Sequence, residues 1–528
     1  MTPTTAMPAD AAGVGRLHGL LALGLALVWA LVLPQLRPLL PVDETRYLTV
    51  AWEMHGAGSA IVPHLNGEIY AHKPPLLFWL INLVWSLTGV SEVAARLVAP
   101  AFGVLAVALT WRLGDRLFPE RPGLGGRAAL ILASTGIFVL YGSLTMFDTM
   151  LCVAVLVGVL ALWQIDRGKG WPAIALLGAA LAFGVLAKGP VVLVHLVPLA
   201  LTRPLWSMAP PDGRPVAWFA SLLGALAVAL AIIGLWLGPA LWLGGPEYRA
   251  EVLWRQSAGR MVNAFDHARP FWFFLAALPV LLWPWAWRGP VLRGLASRGL
   301  FRDRRARALA IWGGATLVLF SLISGKQVHY LLPALPAAAL ALAAVPPPRP
   351  GLGPAALSLL VTAPVLVWAW LLSTGAAQID GAPVTSLGPL DLALPGGLAI
   401  GLLLALAFAG RRAPTVAWAL VAPASLVVVH LALRAPLQEH FDTARFAAEL
   451  ARAPQAGIGI VGRRYQGEFG FTARLAAPIQ PLDTEALASW IAAHPGGLLI
   501  AGGPQSLPLS PVGDGWLAGT HLYLYRLP

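Results

Sequence analysis

The chain has 528 residues, of which 58% are hydrophobic and only 11% charged, with a formal net charge of +12. Soluble domains carry roughly 25% charged residues, so most of this chain cannot face water and a single soluble globular fold is excluded. The single cysteine, Cys152, rules out an intrachain disulfide and a cysteine-based metal site.

The apolar runs are continuous and lack the alternation of barrel strands, which predicts membrane-spanning helices. In chain order the predicted spans are 17–36, 94–115, 126–142, 148–165, 171–187, 190–202, 216–243, 271–288, 307–324, 329–345, 352–373, 395–410 and 413–432. The run Leu17–Leu33 lacks a clear signal-peptidase site and reads as a first span. With a cytoplasmic N-terminus, the inner loops collect more than half of the 36 Lys and Arg residues, among them Arg112, Arg116, Arg121, Arg167, Arg203, Arg304, Arg305, Arg411 and Arg412. The basic charge is then membrane topology, and no nucleic-acid partner is needed to explain it. The expected architecture is a polytopic α-helical membrane domain over 1–435, with outer loops at 37–93 and 244–270. An odd number of spans leaves 436–528 outside as a small α/β domain. In it Phe441–Ala453 and Thr484–Ala493 read as helices, Gly457–Val461 and Gly497–Ala501 as strands, and His521–Arg526 as an edge strand.

Basic residues on the outer side run against the positive-inside bias, and a shared anionic ligand is one reason for them. Some, such as Arg37 and Arg249, read equally well as solvated loop residues. The first outer loop opens with Asp43, Glu44, Arg46 and Tyr47, and continues through Tyr70, His72 and Lys73 to Pro74-Pro75. In a helix Asp43, Arg46 and Tyr47 lie about one turn apart and share a face. The two prolines fix the backbone just after Lys73. Acid beside base in such a loop also fits a plain ion pair. Asp148 heads the fourth span and fits a helix N-cap as well as an active carboxylate. Lys188, Arg255, Arg260, His267, Lys326, His329 and Tyr330 all fall at outer ends of spans or in the second outer loop. Their convergence from different spans favours a site.

The stretches Asp43-Glu44-Thr45-Arg46-Tyr47, Tyr70-Ala71-His72-Lys73-Pro74-Pro75 and His329-Tyr330-Leu331-Leu332-Pro333 resemble the bacterial lipid A aminoarabinose transferases. These are GT-C membrane glycosyltransferases related to protein O-mannosyltransferases. The resemblance implies a polyprenyl-phosphate-linked sugar, commonly on undecaprenyl phosphate, as donor, and transfer on the periplasmic face of the inner membrane without a cofactor. The acceptor would be lipid A, lipopolysaccharide or another envelope glycan, amid membrane lipids. It makes Asp43 and Asp148 the catalytic carboxylates. Lys73, Arg46, Tyr70, Lys326, Tyr330 and Arg255 or Arg260 become donor-phosphate contacts. The family often has Glu before the lysine, where this chain has His72; with His267 it would supply two ligands for a structural zinc.

The chemistry fits these residue types independently. Negative charge grows on the lipid phosphate as the sugar leaves, and Lys or Arg near a low-dielectric boundary stabilises it. A hydroxyl acceptor needs a base, which a carboxylate supplies; a phosphate acceptor hardly does. A transporter or flippase is the main rival, but its charges belong at the centres of spans and in paired broken helices. Protein is an alternative acceptor.

Overall fold

The computed structural model describes residues 11–58, 60–209, 215–253, 268–288, 303–452, 456–504 and 509–528. Among these, nine helices are long and apolar enough to cross a membrane, or up to ten if the bent pair Leu124–Ala133 and Gly136–Gly142 counts as one. We label the first part of the chain α1 (Ala11–Val32), α2 (Asp43–Ala57), α3 (Leu76–Thr88), α4 (Glu92–Leu117), α5 (Leu124–Ala133), α6 (Gly136–Gly142), α7 (Asp148–Asp166), α8 (Trp171–Lys188) and α9 (Val192–Leu201).

The apolar stretch Trp171–Leu201 folds back on itself and does not run as one rod. In a straight helix residues eight apart would be about 12 Å apart, yet a Cβ on Gly184 would lie 2.6 Å from Val192 Cγ2. Gly189, at φ +75°, and a short 3-10 turn make the reversal. The ion pairs agree: Lys188 reaches Asp148 at one end of α7, and Arg203, just past α9, reaches Asp166 at the other. In place of the two spans expected at 171–187 and 190–202 stand the 18-residue α8 and the ten-residue α9, running back along it. Two other predicted spans are short. Segment 271–288 holds only the helix Phe273–Leu281 and a 3-10 turn at Trp285–Trp287, with prolines at 279 and 284. Segment 329–345 begins as a 3-10 turn at Val328–Ala334 before the helix Leu335–Ala343.

The first outer loop is folded. It holds α2, a small hairpin of β1 (His64–Leu65) and β2 (Glu68–Ile69), and α3. Asn66 and Gly67, both at positive φ, turn the hairpin, and Glu53 accepts both of their amides at 2.6 and 3.0 Å. The 13 residues of α3 are too few for a span, so the apolar pattern did not register as one. Leu77, Phe78, Ile81 and Trp85 are buried, while Leu83 and Leu87 face outward, the pattern of a helix lying at a lipid surface.

Arg37, for which the sequence allowed either a solvated loop residue or an anion contact, is 5% exposed. It pairs with the buried Glu44 in a fork–fork bridge, with Arg37 Nη2 3.1 Å from Glu44 Oε1. Glu44 also accepts the Thr145 amide at 2.8 Å and the Leu40 amide at 3.2 Å. Arg96, on α4, donates to the carbonyls of Arg37 and Pro38 and pairs with Glu92. Arg37 and Arg96 are thus structural charges. They tie the entry to α2 onto α4 and the α6–α7 turn. Arg249 is exposed, as expected.

The C-terminal domain is a five-stranded mixed sheet in the order β4-β3-β5-β7-β6. The strands are β3 (Ile458–Val461), β4 (Gln480–Leu482), β5 (Leu498–Gly502), β6 (Gly513–Leu517) and β7 (Thr520–Arg526), with helices at Ala444–Ala451 and Leu487–Ala493. The segment expected as an edge strand, 521–526, is interior: β7 pairs antiparallel with both β5 and β6. Alternation in sequence reports that one face is buried and says nothing about neighbours on either side. The true edges, β4 and β6, are short and rich in Gly, Pro and polar residues, so neither registered as a strand.

Burial opposes the charge on Glu44, but Arg37, with Arg96 and the Thr145 amide, outweighs it and holds the carboxyl below its ordinary value of 4.5. Its contribution to stability is then present above pH 4.5 and is lost as the pH falls through the lowered folded-state value. Glu44→Gln should lower stability at pH 7 by about 3–5 kcal/mol, because Arg37 is left buried and unpaired. Thermal unfolding in detergent checks this, and the gap between wild type and variant should narrow below pH 4.5.

Candidate active site

Four separate elements bring charge to one point at one end of the bundle. Asp148 is the first residue of α7 and is 1% exposed. It is not an N-cap: the cap position is Phe147, which makes no side-chain capping bond. Its Oδ1 accepts from Lys188 Nζ at 2.6 Å, and its Oδ2 lies 4.0 Å from His329 Nε2. The Lys188 ammonium also sits 5.0 Å from the centre of the Tyr330 ring. The rings of Tyr141 and Tyr330 flank His329 at 5.0 and 4.9 Å.

Loop one supplies the other side. Asp43 begins α2 and is partly exposed, and it accepts the Tyr47 hydroxyl at 3.0 Å. Tyr47 is buried against Phe147, at 4.8 Å between rings, directly before Asp148. Burial and the neighbouring Asp43 carboxylate push the Tyr47 hydroxyl well above its ordinary value of 10.0, so it remains a donor. Lys73 acts electrostatically on both Asp148 and His329, and Asp43 acts on both Tyr141 and His329. Asp43, Lys73, Asp148, Lys188, His329 and Tyr330 therefore surround one space. In the same loop Tyr70 packs on His72 and Phe78.

The remaining expected residues are placed differently. Arg46 turns away toward the C-terminal domain and donates to Gln466 Oε1 at 2.5 Å. Lys326 is buried, and its ammonium donates to the carbonyls of Arg269 at 2.9 Å, Ile323 at 2.5 Å and Ser324. It fastens the end of the Arg304–Leu322 helix to the strand-like bridge between Ala268 and Gly325, which is a brace and not an open phosphate contact. His72 is exposed. Arg255, Arg260 and His267 lie outside the described residues. Among the described residues, no group of three or more His, Cys, Asp or Glu side chains could hold a metal ion. Lys188 pairs with Asp148 at 2.6 Å; the sequence placed it among the converging outer-side charges but gave it no role. Tyr141, inside an apolar run, left no such signal.

A family model described as dolichyl-phosphate-mannose-protein mannosyltransferase matches residues 72–237, a range that contains Lys73, Asp148 and Lys188. An undecaprenyl phosphate-alpha-4-amino-4-deoxy-L-arabinose arabinosyl transferase of Pseudomonas fluorescens (strain Pf0-1) is 30% identical over 309 residues, 56% of this chain and 51% of the relative. One from Sodalis glossinidius (strain morsitans) is 32% identical over 351 residues, 63% of this chain and 59% of the relative. Over these stretches the chain is similar to the aminoarabinose transferases. Its matches span about half the length of these curated relatives. The fold likeness is complete: the crystal structure of ArnT from Cupriavidus metallidurans bound to undecaprenyl phosphate matches 96% of this chain and 97% of that one, with a TM-score of 0.74 at 17% identity. The apo structure gives 0.75. The polytopic helical fold with a small C-terminal sheet domain, expected from the sequence, is the fold found.

The Asp148–Lys188 pair predicts a non-additive double mutant. Lys188→Met leaves a buried carboxylate without its partner and should destabilise the protein by about 3–5 kcal/mol. Asp148→Asn combined with Lys188→Met should be much less destabilising than the sum of the two, because both charges leave together. Unfolding midpoints of the four proteins in detergent measure this, and additive losses would show that the two groups are uncoupled.

Proposed function

We propose that this chain transfers a sugar from a polyprenyl-phosphate donor of the undecaprenyl class to an envelope acceptor such as lipid A. The observation that supports it most is the grouping of two carboxylates, two lysines and a tyrosine at the outer ends of spans, where a lipid phosphate would lie. A lipid-linked sugar has its tail in the bilayer and its phosphate at the bundle rim. Lys73, with Tyr330 opposite, is placed to take up the charge that builds on that phosphate as the glycosidic bond breaks. Lys188 keeps Asp148 ionised against burial. Asp43, more exposed and hydrogen-bonded to Tyr47, is open to the side where the acceptor headgroup lies, the membrane–water boundary. There it accepts the proton of a hydroxyl acceptor, or orients an acceptor phosphate that needs no base.

The orientation follows from charge. Inner-loop arginines meet at one end of the bundle, with Arg203 on Asp166, Arg305 on Glu120 and Arg304 on the Ser207 carbonyl. Loop one and the C-terminal domain lie at the other. By the positive-inside rule the second end is periplasmic and the membrane is the inner one. The family model's match to protein mannosyltransferases favours protein as a second acceptor class. Transport fits less well, since the charges sit at the rim and not midway along the spans.

Two measurements test this reading. Purified protein given a labelled undecaprenyl-phosphate sugar and lipid A in detergent should transfer label, and Asp43→Asn should lower the rate roughly a hundredfold with an unchanged size-exclusion profile. Turnover near wild type in that variant would move the chemistry to Asp148. A reporter active only in the cytoplasm, fused after Pro528, should stay dark; strong signal would reverse the orientation.

A further inference from the structure

The C-terminal domain is bolted to the helix that begins with Asp43. Positions 46, 49 and 52 of α2 recur every three residues and so lie along one face. Each bonds to one stretch of the domain. Arg46 donates to Gln466, and Trp52 Nε1 donates to the Leu475 carbonyl at 2.8 Å. Thr49 is the centre of the joint. It is 1% exposed, and its hydroxyl donates to the Gly467 carbonyl at 2.7 Å while accepting the Phe471 amide at 3.0 Å. The hairpin after α2 is held too: Asn66 exchanges two hydrogen bonds with the Ile479 backbone, at 2.8 and 2.7 Å.

The receiving stretch is itself stiff. Glu468, 1% exposed, pairs with Arg463 at 2.9 Å and accepts the Gln466 amide at 2.7 Å. The Tyr465 hydroxyl accepts the Gly470 amide at 3.1 Å. Two glycines leave the joint no room for a further side chain without a shift. A Cβ on Gly470 would lie 2.4 Å from Thr49 Cγ2, and one on Gly467, at φ +88°, would lie 2.6 Å from Leu65 Cδ1. A flanking stack seals the joint, with Trp85 parallel to Phe471 at 5.4 Å and the Arg474 guanidinium 3.9 Å from the Phe471 ring and 5.3 Å from Trp52.

We infer that the C-terminal domain is a positioning element of the transfer site, and that Thr49 is the positioning residue through which it sets the rotation and height of α2, and with them Asp43. The opposite face of α2 is held by Glu44 in the bundle, so the domain and the bundle grip the helix between them. Lys73, Lys188 and Tyr330 sit on elements outside this joint. Losing it should therefore disturb Asp43 more than donor binding.

The inference rests on the glycosyl-transfer reading, and Thr49→Val tests it because the substitution keeps shape and removes both hydrogen bonds. In the full-length protein, kcat should fall about tenfold or more while the KM for the lipid-linked donor stays within about twofold. Thr49→Ser, which keeps the hydroxyl, should recover most of kcat. Gly470→Ala, which wedges the joint, should act like Thr49→Val. Hydrogen–deuterium exchange gives a second reading that does not depend on activity: amides of 43–57 should exchange faster in Thr49→Val, and those of α7 should not. Wild-type kcat in Thr49→Val, an equal loss in Thr49→Ser, or unchanged exchange over 43–57 would overturn the inference. Absence of transfer by the wild type would overturn the reaction instead, and the exchange arm would still decide on the joint.

Discussion

Burying the Glu44 carboxylate beside Arg37 determines where the outer face of this protein begins. A buried carboxylate is costly unless it is paired and hydrogen-bonded, and Glu44 is both, with the Thr145 and Leu40 amides completing its shell. Those partners come from the entry to loop one and from the turn before α7. The pairing therefore sets the start of α2 against the start of α7 and so brings Asp43 and Asp148 to the same rim. Arg96 extends the grip to α4 through the carbonyls of Arg37 and Pro38. None of these charges needs to touch a substrate for the site to depend on them.

The same helix explains why two neighbouring acids behave so differently. Successive residues of a helix point about 100° apart. Glu44 turns into the bundle with Tyr47, Leu48 and Ala51, whereas Asp43 stays half-exposed at the rim. Arg46, Thr49 and Trp52 point to a third direction and meet the C-terminal domain. The 15 residues of α2 are thus divided among the bundle, the reaction space and the domain above it. Few substitutions on this helix should be neutral.

Much of this was legible in the sequence, for identifiable reasons. Apolar runs report spans because lipid leaves the backbone no partner but itself. The arginine bias reports orientation, basic residues that run against it marked Lys73 and Lys188, and an acid at the head of an apolar run marked Asp148. What could not be read were contacts between charges far apart in the chain. Arg37 and Lys73 look alike as outer-side cations, and only the fold shows that one is spent on Glu44. Arg46 and Lys326 read as phosphate contacts from the sequence, yet Gln466 and three carbonyls hold them. The docking of the C-terminal domain was invisible because it runs through backbone carbonyls, backbone amides and glycines, which leave almost no residue-type signature.

Placing the charges at the rim also resolves a conflict that the proposed reaction imposes. Electrostatic stabilisation of a leaving phosphate grows as the dielectric falls, which favours a deep site, but the headgroup of an acceptor such as lipid A lies at the membrane–water boundary. Asp148 sits at the head of an apolar helix with Lys188 at 2.6 Å, on the buried side. Asp43 sits on the open side, across the same space. Lys188 is held by the buried carboxylate at 2.6 Å, and in the proposed reaction the leaving phosphate would be met by Lys73 in loop one. Dividing the cations in this way gives each carboxylate a fixed setting before any substrate is bound, which is the preorganisation that electrostatic catalysis requires.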